Sequence, residues 1–395
     1  MEWTALSRCA RGALLFAAAA LPSCSREVLQ VHRHYGPFRE RAERQERHAL
    51  DLRQGDALTI DVRVGSVDVK VVRGKEPSLT INLTAHGRSS EEALRILDSF
   101  HVRVSRRGSG VRVSLEGEPL EIEMPPTFYA VSPSGSFQAE VPPGVSLRVH
   151  TSQGTIGALG PLGPCDLSTG YGKVTLDGAT GDVRLLSGSG AVEATRTQAG
   201  KLDVETDGSV TLRDIRASQV LVETSSGFIA AHRLSATKSI LKTGFGQIQV
   251  DEGSGSLAAV TSSGNIDVQD FEGSVEARSG FGAVDVAGVL RGLNASTTSG
   301  SVTADARLGS RVRSAWKLES GFGPVNIAVP AEASFRILAE TLSGSIASEF
   351  PIRPEAGSDG SSRLKGAAGK GGEEIVLRTG SGDIHVRASK EPTRP

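Results

Sequence analysis

Cysteine, aromatic residues and charge of one sign are all scarce in this chain, and each scarcity closes off a class of protein. Only 3 of the 395 residues are Cys, too few for the disulfide framework of a small loop-rich scaffold. Lys and Arg number 44 against 45 Asp and Glu. A nucleic-acid-binding domain usually shows a basic excess on one face, so no nucleic-acid partner is expected. Aromatics are 4% of the chain while glycine reaches 47 residues, a balance that suits turns and strands rather than helix bundles. The apolar run Ala13–Leu21 is too short to span a bilayer permanently.

What the chain does have is a period. A turn of Ser or Thr, one or two small residues and Gly, followed by alternating Val or Ile, recurs down most of it. The closing glycines are Gly154, Gly172, Gly190, Gly208, Gly227, Gly246, Gly264, Gly282, Gly300, Gly323, Gly344 and Gly382, and the first eight intervals are 18 or 19 residues. A fixed period of this length in a β-rich chain predicts a solenoid, since one copy cannot bury its own apolar face and must stack on its neighbours. The expected fold is all-β: a parallel, β-helix-like solenoid with coils of about 18 residues, over 146–348 and again over 374–388. A true coil of two copies, about 36 residues, stays open.

Register follows from position relative to the marker glycine. Residues seven and five places before it are apolar (Leu147 and Val149, Val220 and Val222), the third is Ser or Thr, and the second and fourth after it are again apolar (Ile266 and Val268, Val284 and Val286). Alternation on both sides of a turn predicts two strands per copy with one face inward. The hydroxyl is expected to satisfy turn N–H groups, and the glycine to supply positive φ. The copy ending at Gly208 is one residue shorter there, so its turn should differ.

Outside the repeats, Arg8 and Arg11, the run Ala13–Leu21 and then Leu21-Pro22-Ser23-Cys24 read as a signal peptide over 1–24 ending in a lipobox. Pro22 departs from the usual small residue, and the plainer alternative is a secretory signal with a chance Cys. Cys24 is the lipidation candidate, making the membrane a partner through an N-terminal lipid anchor. Ser25 after it points to the outer membrane. Residues 25–47, rich in Arg and Glu, read as a solvated tether. Residues 48–145 are expected to form a β-rich N-terminal lobe with one short helix, begun by Ser89-Ser90-Glu91-Glu92. Residues 349–373 read as a flexible Gly/Ser/Pro excursion, 374–388 as the terminal coil and 389–395 as a tail.

Candidate chemistry is thin. Cys165 and Trp316 occupy an inward slot that other copies fill with Leu, Val or Ile, so both are expected to be buried, and a buried Cys is inert. Asp267 and Asp285 are the best carboxylate pair, at equivalent outward positions one coil apart. The eight histidines show no metal-ligand spacing, and the glycine-rich turns lack the Gly-Lys-Ser/Thr ending of a phosphate loop. Neither a calcium-binding nonapeptide nor regular Thr rows occur. Catalytic, metal and cofactor residues are therefore none, and the chain is read as not an enzyme. Tyr171, Phe245, Phe281 and Phe322 stand directly before marker glycines, with Ser226, Ser263 and Ser299 in intervening copies. The favoured reading is a packed edge ladder of large and small residues, in which loss of one ring would cost about 3–5 kcal/mol. The competing reading is an exposed binding stripe.

The strand Gly65-Ser66-Val67-Asp68-Val69, the entry Val141-Pro142-Pro143-Gly144-Val145-Ser146-Leu147-Arg148-Val149, the serial Ser/Thr-x-x-Gly-x-Ile/Val-x-Val turns and the last Arg378-Thr379-Gly380-Ser381-Gly382-Asp383-Ile384 together resemble the bacterial DUF4097-type adhesin domains, which are similar to DUF2807 proteins. The resemblance covers about 48–388. It implies an envelope β-solenoid with no established catalytic residues. The expected function is a non-enzymatic, lipid-anchored envelope protein acting in adhesion or as an interaction scaffold, with an envelope protein or a surface glycan as partner. An envelope-stress accessory binding a membrane partner, and a carbohydrate-active β-helix, are the alternatives.

Overall fold

The computed structural model describes residues 25–33, 38–124, 127–312, 314–359 and 361–389; the signal segment and Cys24 lie outside them. Its centre is a stack of parallel rungs that keep step from coil to coil, with local register shifts at Ala236/Lys238, Val268/Phe271 and Gly273/Ser274. Val192 pairs with Val210, Val210 with Ile229, Ile229 with Ile248, Ile248 with Ile266, and Ile266 with Val284. Each step is one sequence copy, so the coil is about 18 residues long and the doubled coil is set aside. Residues seven and five before each glycine, six and four before Gly208 in the short copy, stack as columns inside the coil. Leu202, Val220, Leu257, Val275 and Leu293 form one, and Val204, Val222, Leu241, Ala259, Ala277 and Ala295 another, all buried. Each fully buried Leu or Val contributes about 1.5–3 kcal/mol, which is why a chain poor in aromatics still has a continuous core.

The corner at the marker glycine is held by a second column. The Ser or Thr three places earlier is buried and donates its hydroxyl hydrogen to the carbonyl oxygen of the glycine one coil away. Thr243 reaches Gly227 at 2.9 Å, Thr261 reaches Gly246 at 3.0 Å and Ser279 reaches Gly264 at 2.8 Å. The hydroxyl oxygen in turn accepts from its own turn, as when Gly246 N–H donates to Thr243 Oγ1 at 3.1 Å. The short copy keeps this pattern, with Thr206 reaching Gly190 at 2.6 Å. The glycines themselves are required by close approach. A Cβ on any of the twelve would meet the neighbouring coil's marker glycine, or Gly65 at the first, at 1.8–2.5 Å. Positive φ, the expected reason, is found in only some of them, for example +148° at Gly172 and not at Gly190.

A second corner, six residues later, escaped the sequence. Arg196, Asp214, Arg233, Glu252 and Asp270 all adopt φ of 48–57°, a left-handed conformation costing a side-chain-bearing residue roughly 1–2 kcal/mol. Opposite charges alternate up much of this column. Arg233 donates to Asp214 at 2.9 Å, and that hydrogen bond holds the Asp214 carboxyl below its usual range.

Both ends of the stack differ from expectation. The strand Ala57–Val71 belongs to the solenoid: it pairs in parallel with Ser146–Gln153 and Ile156–Leu162 on one side, and with Gly110–Gly117 and Ser134–Val141 on the other. The boundary at 146 therefore falls inside the stack. The tether is a correction too. Ser25–Arg33 and Glu40–Ala49 are antiparallel strands, and the second pairs with Ser78–Gly87. Its inward side carries Ala42, Arg44 and Glu46, all buried, so a strand whose inner face is charged reads as solvent-exposed by hydropathy. The helix Ser90–Asp98 forms as expected, with the Ser89 side chain accepting from Glu92 N–H.

At the far end, Glu374–Ser381 lies between Trp316–Phe322 and Phe335–Ser343. The last coil in sequence is thus the penultimate one in space. The excursion before it is not simply flexible: Arg363–Ala368 pairs antiparallel with Phe335–Ser343 and covers an edge that would otherwise template association.

Candidate interaction edge

The aromatic positions sit where the chain turns at the marker glycine. Strict alternation would send the residue before the glycine inward, behind the buried hydroxyl. The corner is already filled there by the hydroxyl column, so the chain turns and the side chain points out. Tyr171, Phe245, Phe281 and Phe322 are 66%, 74%, 66% and 67% exposed. The packed ladder is therefore corrected: the rings lie over no neighbour. In each of these copies the residue before the ring is also glycine, and a Cβ on Gly244, Gly280 or Gly321 would lie 2.4 Å from the adjacent coil's backbone. The ring stands on a backbone packed too tightly to admit a side chain beside it.

Three of the four rings form one row. Register places Ser263 beside Phe281, Phe281 beside Ser299, Ser299 beside Phe322, and Phe322 beside Ser381. Phe245 continues the row beyond Ser263, two residues past the Thr243–Thr261 pair. Tyr171 is on the same corner but four coils from Phe245. Two exposed apolar side chains of this edge were not singled out in the sequence, Phe228 just after Gly227 and Leu342 two before Gly344. Each departs from the small or polar residue usual at its place, which was the available signal. An open groove of about 510 Å³ flanks the upper end of the row. Arg378 lies in it, donating to Glu340 at 3.0 Å and standing 3.5 Å from Glu319.

The remaining candidates lie within the coils. Cys165 is buried, and burial pushes its thiol up to about 12. Trp316 is fully buried. Asp267 and Asp285 do meet across adjacent rungs; burial raises the Asp285 carboxyl, with Asp267 adding to the effect and a Thr303 hydrogen bond opposing it. Among the described residues no three His, Cys, Asp or Glu side chains gather as a metal site requires, and no helix is long and apolar enough to cross a membrane.

The family model described as Toastrack DUF4097 matches residues 57–315 and 275–387. Among solved structures, the chain is similar to a putative cell adhesion protein from Clostridium sporogenes ATCC 15579 (8% identity, 88% of this chain and 99% of that one, TM-score 0.18). It is also similar to a putative adhesin from Parabacteroides distasonis ATCC 8503 (10% identity, 87% and 96%, TM-score 0.26). A putative lipid binding protein from the same organism shows 11% identity over 86% and 96%, with a TM-score of 0.26. No curated protein matches.

Proposed function

The chain belongs to the Toastrack DUF4097 family, and from that premise we propose that it is a non-enzymatic, lipid-anchored envelope protein whose solenoid presents the Phe245–Phe281–Phe322 edge for adhesion or protein contact. The observation that carries this reading is the row of rings about two-thirds exposed on a rigid corner. Exposed apolar rows of this kind are uncommon on monomeric proteins and mark contact surfaces. Cys24 supplies the anchor and the outer membrane is the proposed location.

Two measurements test it. Substituting Cys24→Ser should release the chain from membranes in mild salt, because one acyl attachment site is removed; unchanged partitioning into the detergent phase contradicts the anchor. Cells displaying Phe245→Ser/Phe281→Ser/Phe322→Ser should lose surface attachment at unchanged expression, and undiminished attachment contradicts the edge.

A further inference from the structure

The alternation along the edge has a geometric consequence. Coils stack about 4.8 Å apart, so Phe245, Phe281 and Phe322, on every second coil, stand about 9.6 Å apart. Between them lie only Ser263 and Ser299, with Ser381 beyond Phe322. A gap of that width between two rings admits one further ring. With it in place, neighbouring centroids would lie about 4.8 Å apart, inside the range of roughly 4.5–7 Å that aromatic pairs prefer. The edge is therefore shaped to receive a row of rings with its own spacing, set one coil out of step.

The geometry points to a second copy of this chain as the occupant, related by a two-fold axis perpendicular to the stack at the level between Phe281 and Ser299. Copies running the same way would set ring against ring at each level. Running in opposite directions about that axis, they bring Phe281 to Ser299, Phe322 to Ser263 and Phe245 to Ser381 of the other copy. The six rings then form one unbroken row.

The same axis accounts for the two remaining apolar side chains of the edge. Leu342, 91% exposed, and Phe228, 52% exposed, come to the same level of opposite copies at both ends of the row. Shifting the axis by half a coil sets ring against ring, and shifting it by a whole coil, to between Ser263 and Phe281, loses this match and brings the ring of Phe322 onto the turn that already carries Phe228. Such an interface is isologous. Six rings that are about two-thirds exposed would bury roughly 600–1,000 Å², and the two Leu342 and two Phe228 side chains extend it toward the roughly 1,200 Å² of the smallest stable interfaces. A reversible dimer in the micromolar range is the fitting strength. This inference rests on reading the edge as a contact surface and names its partner.

Sedimentation velocity of the full chain in density-matched detergent tests it. Wild type should shift from monomer to dimer across the micromolar range. Phe281→Ser removes a ring twice per dimer and should weaken association at least tenfold, with an unchanged circular-dichroism melt. Ser299→Phe is the decisive variant. It adds apolar surface, which would strengthen any non-specific association, yet it fills the slot the partner's Phe281 needs and should leave the chain monomeric. A wild type that stays monomeric, or a Ser299→Phe chain that associates as strongly as wild type, overturns the proposal. If surface attachment still depends on the three rings in a monomeric wild type, the second copy fails and the contact edge stands; if attachment is also indifferent to them, both fail.

Discussion

Gly190→Ala should cost about 3 kcal/mol or more and melt the stack well below wild type. The added Cβ would lie 1.8 Å from the carbonyl oxygen of Gly172 and 2.2 Å from its carbon. Neither atom can move without breaking the ladder, so two coils must separate where backbone meets backbone. In a solenoid each coil contacts only its neighbours, and a fault in the middle is felt as a break in the stack. The Ser187 hydroxyl makes the effect larger, because it donates to that same Gly172 oxygen at 2.8 Å and accepts from Gly190 N–H at 2.9 Å. Ser189→Ala, one exposed residue away, should stay within about 0.5 kcal/mol. Thermal melts followed by circular dichroism make the comparison.

Arg44→Met should destabilise the N-terminal end by about 3–5 kcal/mol, the cost of breaking a buried ion pair from one side. The Arg44 guanidinium is 2% exposed. It donates to the carbonyl oxygens of Leu97 at 2.8 Å and Phe100 at 2.6 Å, just where the helix Ser90–Asp98 ends, and lies 2.9 Å from Glu46. Methionine fills the space and leaves the 6%-exposed Glu46 facing His48 without its arginine. The double variant Arg44→Met/Glu46→Leu should recover only the part of the loss that comes from the buried carboxylate, since the Leu97 and Phe100 carbonyl oxygens still lack the Arg44 donor. Denaturant titration of the three chains checks this.

These two sites show where sequence suffices and where it does not. Gly190 announces itself by interval, because every coil repeats the same close approach and only glycine survives it. The apolar columns through Val204 and Val222 are equally plain from alternation. Arg44 is invisible to the same reasoning: it sits in Arg39–Arg47, where inward charges mimic a solvated segment, and its partners are 53 and 56 residues away. The corner at Arg196 and Asp214 is hidden for another reason, since no residue type marks a left-handed position filled by a charged side chain. The placement of Glu374–Ser381 between two earlier coils depends on a chain crossing that periodicity does not encode. The outward turn of Phe281 is not legible in the sequence, because alternating large and small residues suit a ring laid over its neighbour as well as one turned to solvent.

The melting temperature of Phe281→Ala tests most directly whether this edge is built for contact or for packing. With two-thirds of the ring in solvent and no neighbour over it, the melt should overlay wild type, within the roughly 0.5 kcal/mol of an ordinary surface substitution. A fall corresponding to the about 3–5 kcal/mol of a buried phenylalanine would put the ring back inside the stack and remove the contact edge from the account.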